Sequence, residues 1–213
     1  MAKLTDRVAI VTGAAAGIGR AIALEMAREG ARVVVSDFAQ EGGQETAQLI
    51  KNEGNQAIFV KADVANEADI DNLVSMTVKT YGQVDILVNN AGISGGLAAL
   101  QDISAADWDA VMSVNLKGPF LASKRVYPEM LKNGRGNIIN IASMASTAAG
   151  RGGLPYTASK HGLLGFTKQL SFMVGAQGIR VNAVLPGPID TAMIQRVLAM
   201  PEHPVCMKIK ASP

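Results

Sequence analysis

A chain of 213 residues is long enough for one sizeable hydrophobic core and short for two. Its 48% hydrophobic and 18% charged residues argue against intrinsic disorder. A formal charge of +2 without a basic run argues against a nucleic-acid partner, and no apolar stretch reaches the roughly 20 residues that span a membrane.

The first short β-branched run is RVAIVT, preceded by no export signal because Asp6 and Arg7 interrupt the N-terminal segment. The one cysteine, Cys206, cannot form an internal disulfide, and a cytoplasmic protein is expected. VTGAAAGIGRA then follows the predicted strand and opens a predicted helix, the setting a phosphate-binding turn requires. Gly13 permits the tight turn, Gly17 lets the backbone approach a pyrophosphate, and Gly19 allows helix to pack closely on strand. The helix places Ile18, Ile22 and Met26 along one face and stops at Gly30.

Glycines also serve turns that bind nothing, so a second signal is needed, and Asp37 supplies it. It ends the second run, ARVVVSD, where a carboxylate accepts hydrogen bonds from adenosine ribose hydroxyls. A carboxylate about 4 Å from a 2′-phosphate repels it by about 4 kcal/mol per charge at an effective dielectric near 20, roughly a thousandfold in affinity. Ser36 and Phe38 bring no compensating cation, so NAD is expected over NADP.

Four more runs follow: QAIFVKAD, DILVNNAG, GNIINIAS and IRVNAVLPG. All are nearly continuous in apolar character and bounded by Gly, Asp or Asn, as strands buried on both faces are. Strand and helix alternate, which predicts an α/β fold: a doubly wound, Rossmann-type parallel sheet of six strands with helices on both faces. Residues 1–213 are expected to form a single domain. YTASK puts Tyr156 and Lys160 on one face of a helix whose stripe Leu163, Thr167, Leu170 and Val174 packs into the core. Gly175 is expected to cost about 1 kcal/mol late in that helix. Beyond the sixth run, residues 188–213 are expected to form a flap or tail over the carboxyl ends of the strands, with a weak helix near residues 192–199.

TGAAAGIG, NNAG at 89–92, Asn115 in VNLKG, Ser143 in NIAS, YTASK, and PGPIDT at 186–191 occur in the order of the short-chain dehydrogenase/reductase family, which the chain resembles over residues 8–191. The resemblance implies a nicotinamide dinucleotide and a catalytic set of Asn115, Ser143, Tyr156 and Lys160. It implies that Asp63 and Val64 contact the adenine, that Asn90 lies beside the cofactor ribose, and that Ile189 and Thr191 hold the nicotinamide carboxamide. Gly13, Gly17, Ile18, Gly19, Asp37, Ala91, Gly92, Tyr156, Lys160, Pro186 and Gly187 complete the implied cofactor-binding set. Relatives usually continue with a further helix, a seventh strand and a helix at subunit contacts. No seventh strand is expected within residues 1–213, so the sixth is expected at the sheet edge if Pro213 is the true end, and a homo-oligomer is expected provided the missing part is not required.

A phenol with an ordinary pKa near 10 needs roughly 4 kcal/mol of preferential phenolate stabilisation to reach about 7. A lysine ammonium about 5 Å away supplies about 3 kcal/mol at an effective dielectric near 20, and an oxidised nicotinamide adds to it. Tyr156 is therefore expected to move the proton at the substrate oxygen, with Ser143 hydrogen-bonded to the same oxygen. By the resemblance, Asn115 holds a water linking Lys160 to solvent. The plainer rival is a snorkelling Tyr–Lys surface pair.

The activity expected is NAD-dependent interconversion of a secondary alcohol and a ketone. One alternative is a 3-oxoacyl carrier-protein reductase; such enzymes generally use NADPH and dock their carrier on basic residues, where this chain has Glu129 and Phe172. The other is a dinucleotide-binding protein without turnover. No metal is expected: His203 has no second ligand at metal spacing, and His161 lies about 100° round the helix from Lys160. Trp108 reads as a helix anchor. The candidate substrate walls are residues 94–97, 144–154 and the flap from Pro188, with Arg151 the only charge before the flap, which suits a modest organic carbonyl compound.

Overall fold

Apolar runs with so few polar side chains gain most by pairing with one another and taking cover under helices. The structure, a computed structural model, describes residues 2–199; His203, Cys206 and the tail beyond residue 199 lie outside them. All six runs are strands: β1 (Val8–Thr12), β2 (Arg32–Asp37), β3 (Ala57–Lys61), β4 (Ile86–Asn89), β5 (Gly136–Ile141) and β6 (Ile179–Val184). They pair in parallel in the order β3-β2-β1-β4-β5-β6, the doubly wound arrangement that right-handed crossovers produce.

The helices between them are α1 (Gly17–Arg28), α2 (Gln40–Asn52), α3 (Glu67–Tyr81), α4 (Ala105–Met112), α5 (Gly118–Lys132) and α6 (Leu154–Val174), with α7 (Ala192–Leu198) after β6. Alternate strand residues serve two cores. Ile10, Val34, Leu87 and Ile138 meet α3, α5 and the end of α6, whereas Val11, Val33, Val35 and Val88 meet α1 and α2. The stripe of α6 is core, with Leu163, Thr167 and Val174 buried and Leu170 packed against the cluster that contains Val174. No helix of the described residues is long and apolar enough to cross a membrane.

Two expectations need correction. The buried line of α1 is Gly19, Ala23 and Ala27, while Ile18, Ile22 and Met26 are only partly covered. Small residues let the helix axis come close to the sheet, and the longer side chains then flank the contact. The sixth run is not buried on both faces: Ile179 and Val181 are buried, but Arg180, Asn182 and Val184 are exposed. β6 pairs only with β5, and the face carrying those three residues is uncovered among the described residues.

Candidate active site

Chain connections leave β1 and β4 in opposite directions across the sheet, so a crevice opens beyond their carboxyl ends. A cleft of about 680 Å³ lies there, walled by the segments that follow all six strands. Every site residue expected from the sequence lines it except Asn115, which is fully buried behind it.

The glycine turn is built as expected, with Gly13 at φ 64° and Gly17 at φ 54°, a region only glycine enters readily. Gly19 is required by contact with the turn itself: a Cβ there would sit 2.1 Å from the Gly13 carbonyl oxygen and 2.5 Å from Asn90 Nδ2. The N-terminus of α1 has no side-chain cap and no acidic residue in its first turn. Its unpaired N–H groups open into the cleft beside positive-φ glycines, which fits a phosphate-bearing ligand.

Asp37 holds its carboxylate at the rim by accepting from Ala15 N (2.9 Å) and Ala39 N (2.8 Å). Asp63 accepts from Ala65 N, and Val64 packs where a Cβ on Gly118 would intrude. Asn90 lines the cleft, and its amide donates to Thr12 O and Gly13 O, both at 2.9 Å, so its side chain clamps the glycine turn.

Two residues escaped the sequence reading. Thr12 Oγ1 accepts from Asn90 N and Ala91 N and donates to Val88 O, so it locks the turn to the segment after β4. Arg20 donates through Nε to Ala15 O and Thr46 Oγ1, fastening the turn to α2. A threonine inside an apolar strand and an arginine on a helix carry no local signal; only their partners reveal them.

At the other end, Ser143 stands just past β5, and Tyr156 and Lys160 rise from the first turns of α6. Ser143 and Tyr156 both line the cleft, and the Ser143 side chain acts to lower the pKa of the Tyr156 phenol. Lys160 Nζ lies 5.7 Å from the centre of the Tyr156 ring and donates to Ile141 O at 2.7 Å. Lys160 is only 4% exposed, so the pair is not a surface pair. Asn115 sits on a widened helical turn, Ser113–Lys117, between α4 and α5. Its amide donates to Ile93 O (2.9 Å) and Ser159 Oγ (3.1 Å), and its Oδ1 accepts from Ile93 N (2.8 Å). Ser159 Oγ donates in turn to Tyr156 O, a link that was also missed.

The expectation that Lys160 nearly suffices to acidify Tyr156 is corrected. Burial pushes the phenol above its ordinary value, and the Ser143 side chain only partly offsets that. Burial also lowers the Lys160 ammonium to about 8. For both groups desolvation is the largest cause.

The family model described as short chain dehydrogenase matches residues 7–202. The chain is 42% identical over 190 residues, 89% of its length and 76% of the relative's, to the (2S)-[(R)-hydroxy(phenyl)methyl]succinyl-CoA dehydrogenase subunit BbsD of Thauera aromatica. It is 43% identical over 204 residues, 94% of this chain and 81% of the relative, to a 3-oxoacyl-[acyl-carrier-protein] reductase of Synechocystis. The crystal structure of levodione reductase superposes with a TM-score of 0.89 at 34% identity, over 92% of this chain and 77% of that one. With the cleft, the glycine turn and the Ser143–Tyr156–Lys160 cluster in place, the chain belongs to the short-chain dehydrogenase family, oxidoreductases that act on alcohols and ketones with a nicotinamide cofactor.

Proposed function

We propose that the protein is an NAD-dependent oxidoreductase that interconverts a secondary alcohol and a ketone, with Asn115, Ser143, Tyr156 and Lys160 as its catalytic residues. The reading is carried by Ser143, Tyr156 and Lys160 lining one cleft with the glycine turn, with Lys160 Nζ 5.7 Å from the centre of the Tyr156 ring. Gly13, Gly17, Ile18 and Gly19 would hold the diphosphate, Asp37 the adenosine ribose, Asp63 and Val64 the adenine, and Pro186, Gly187, Ile189 and Thr191 the nicotinamide end. When bound, the dinucleotide supplies or accepts the hydride and, when oxidised, brings a positive charge near the phenol.

In reduction Tyr156 gives a proton to the carbonyl oxygen, and in oxidation its phenolate takes one from the alcohol. Ser143 Oγ donates to the same oxygen and steadies the charge that develops on it. Lys160, held by Ile141 O, keeps a cation beside the ring. Because burial alone raises the phenol, an acidity suited to neutral pH belongs to the complex with oxidised cofactor. Asn115 fixes Ile93 and, through Ser159, the start of α6. A proton relay from Lys160 through a water on Asn115 rests on the family resemblance alone. Residues 188–199 are proposed as part of a flap over the nicotinamide end.

Tyr156→Phe is expected to lower kcat with NADH and a panel of ketones by about 10²–10⁴. A variant as fast as the parent would remove the proton-transfer role. NADH is expected to bind roughly a thousandfold tighter than NADPH, because a 2′-phosphate would meet the Asp37 carboxylate. Asp37→Asn should narrow that ratio, and equal affinities in the parent protein would overturn the NAD assignment.

A second reading, a 3-oxoacyl carrier-protein reductase, is favoured by the 43% identity to the Synechocystis reductase. Against it, Glu129 on α5 is paired with Arg125 and Lys132, and Phe172 on α6 is 84% exposed where a carrier-docking cation would stand. Preference for NADPH together with turnover of an acyl carrier-protein thioester would select it.

A further inference from the structure

We propose that Gly152 is a positioning residue for Tyr156: bare backbone at this one place seats the phenol ring and so fixes where its hydroxyl meets the substrate oxygen. The proposal rests on Tyr156 being the group that moves the proton, and it deepens that reading.

Gly150, Gly152 and Gly153 precede the first turns of α6 and look alike in the sequence, yet each is a glycine for a different reason. Gly150 has a φ of 75°, which accounts for it by conformation, and a Cβ there would meet nothing within 4 Å. Gly153 is the N-cap of α6 at φ −64°, and a Cβ on it would strike the Gly96 oxygen of the neighbouring loop. Gly152 lies outside the positive-φ region, so its backbone does not itself demand a glycine. What it lacks is room. A Cβ there would lie 2.7 Å from Tyr156 Cδ1, 3.4 Å from Cε1 and 3.5 Å from Cγ, and these three nearest atoms all belong to the one ring.

Both sides of this contact are tied down. Thr157 Oγ1 donates to Gly152 O at 3.3 Å and Thr157 N to Gly153 O at 2.9 Å, which fastens the loop to the helix that carries the phenol. Tyr156 is held in turn through its own carbonyl, which accepts from Ser159 Oγ at 2.7 Å, while that hydroxyl accepts from the buried Asn115 at 3.1 Å. With the two backbones fixed to each other, an added methyl is relieved by the ring turning about its side-chain torsions. The contact falls near the root of the ring, so the hydroxyl at its far end travels furthest. Ser143 and Lys160 stand on other supports of the same cleft and do not follow it. A displacement of about 1 Å at a reacting group is enough to cost about a hundredfold in rate.

The test is Gly152→Ala, with Gly165→Ala as its control, since a Cβ at that position in α6 meets nothing. With NADH and a ketone that the parent reduces, Gly152→Ala is expected to lower kcat by about 10- to 100-fold and to change KM for NADH by less than about twofold. Gly165→Ala should turn over like the parent. A second readout needs no turnover. The chain has three tyrosines, Tyr81, Tyr127 and Tyr156, so their ring resonances in isotope-labelled protein are assigned by single Tyr→Phe variants. Gly152→Ala should shift the Tyr156 resonance and leave the other two in place, and the parent should show a nuclear Overhauser contact between the Gly152 α-protons and the Tyr156 ring. The proposal is overturned if that contact is absent from the parent, if the Tyr156 resonance does not move, or if kcat falls by less than about twofold in a variant folded by circular dichroism. A parent that shows the contact but reduces no ketone would keep the seat and remove the proton-transfer reading.

Discussion

Tyr156 and Lys160 show what a residue's surroundings add to its identity. Spacing placed both on one helix face, but the burial that shifts their titration is set by the packing around the cleft. The Lys160 ammonium is lowered to about 8 by desolvation, so between about pH 8 and its unfolded value near 10.5 the unfolded chain holds the proton that the folded chain has lost. Stability therefore rises with pH across that window, by about 3 kcal/mol in total, and the cost is fully present below it. Lys160→Met should remove this slope: the difference in unfolding free energy between parent and variant, measured by urea titration at pH 7.5 and about pH 10.5, should shift by about 3 kcal/mol in the parent's favour. A constant difference would show that the ammonium is not buried as described.

At the scale of elements, glycines that look alike in the sequence divide by what stands beside them. Gly165 is exposed in the interior of α6 and Gly175 caps its end at φ −59°, and an added Cβ meets nothing at either. Each changed to Ala should raise stability by about 0.5–1 kcal/mol in thermal or urea unfolding. Gly175 lies just past the helix as its C-cap, and not in its late turn as expected. Gly19→Ala should instead abolish dinucleotide binding, read by quenching of Trp108 fluorescence or by calorimetry, because its Cβ would strike the Gly13 carbonyl. The widened turn that carries Asn115 was invisible in the sequence, since VNLKG has no residue that demands an extra backbone unit; the turn follows from packing Asn115 between Ile93 and Ser159.

Across the whole molecule, stability and chemistry occupy opposite ends of the sheet. Before β4, the buried Asp85 accepts from Val8 N (2.9 Å) and Gln83 Nε2 (2.6 Å) and pairs with Arg7 (3.3 Å) and Arg135 (3.2 Å), tying together the amino ends of β1, β4 and β5. Asp85→Ala strands these donors, and should cost about 2–4 kcal/mol in unfolding free energy with KM for the cofactor unchanged below the melting range. A matching loss of cofactor affinity would mean that the two ends are coupled. Between them, Asn89 Nδ2 donates to Asn140 Oδ1 and Asn140 Nδ2 to Thr167 Oγ1, a buried polar link that holds β4, β5 and α6 in one arrangement.

The sequence by itself determined the alternation of strand and helix, the strand count, the glycine turn and the identity of the cluster around Tyr156. The first three are written in periodicity and spacing, which act over a few residues, whereas the cluster was implied by the resemblance to the family. Only the tertiary structure decided that Asn90 clamps the turn, that Thr12 and Arg20 serve it, that one face of β6 is uncovered, and that burial raises the phenol of Tyr156. Each of those depends on which groups from distant segments meet and on how much water they displace, quantities set by packing across the sheet and not by any local stretch of chain.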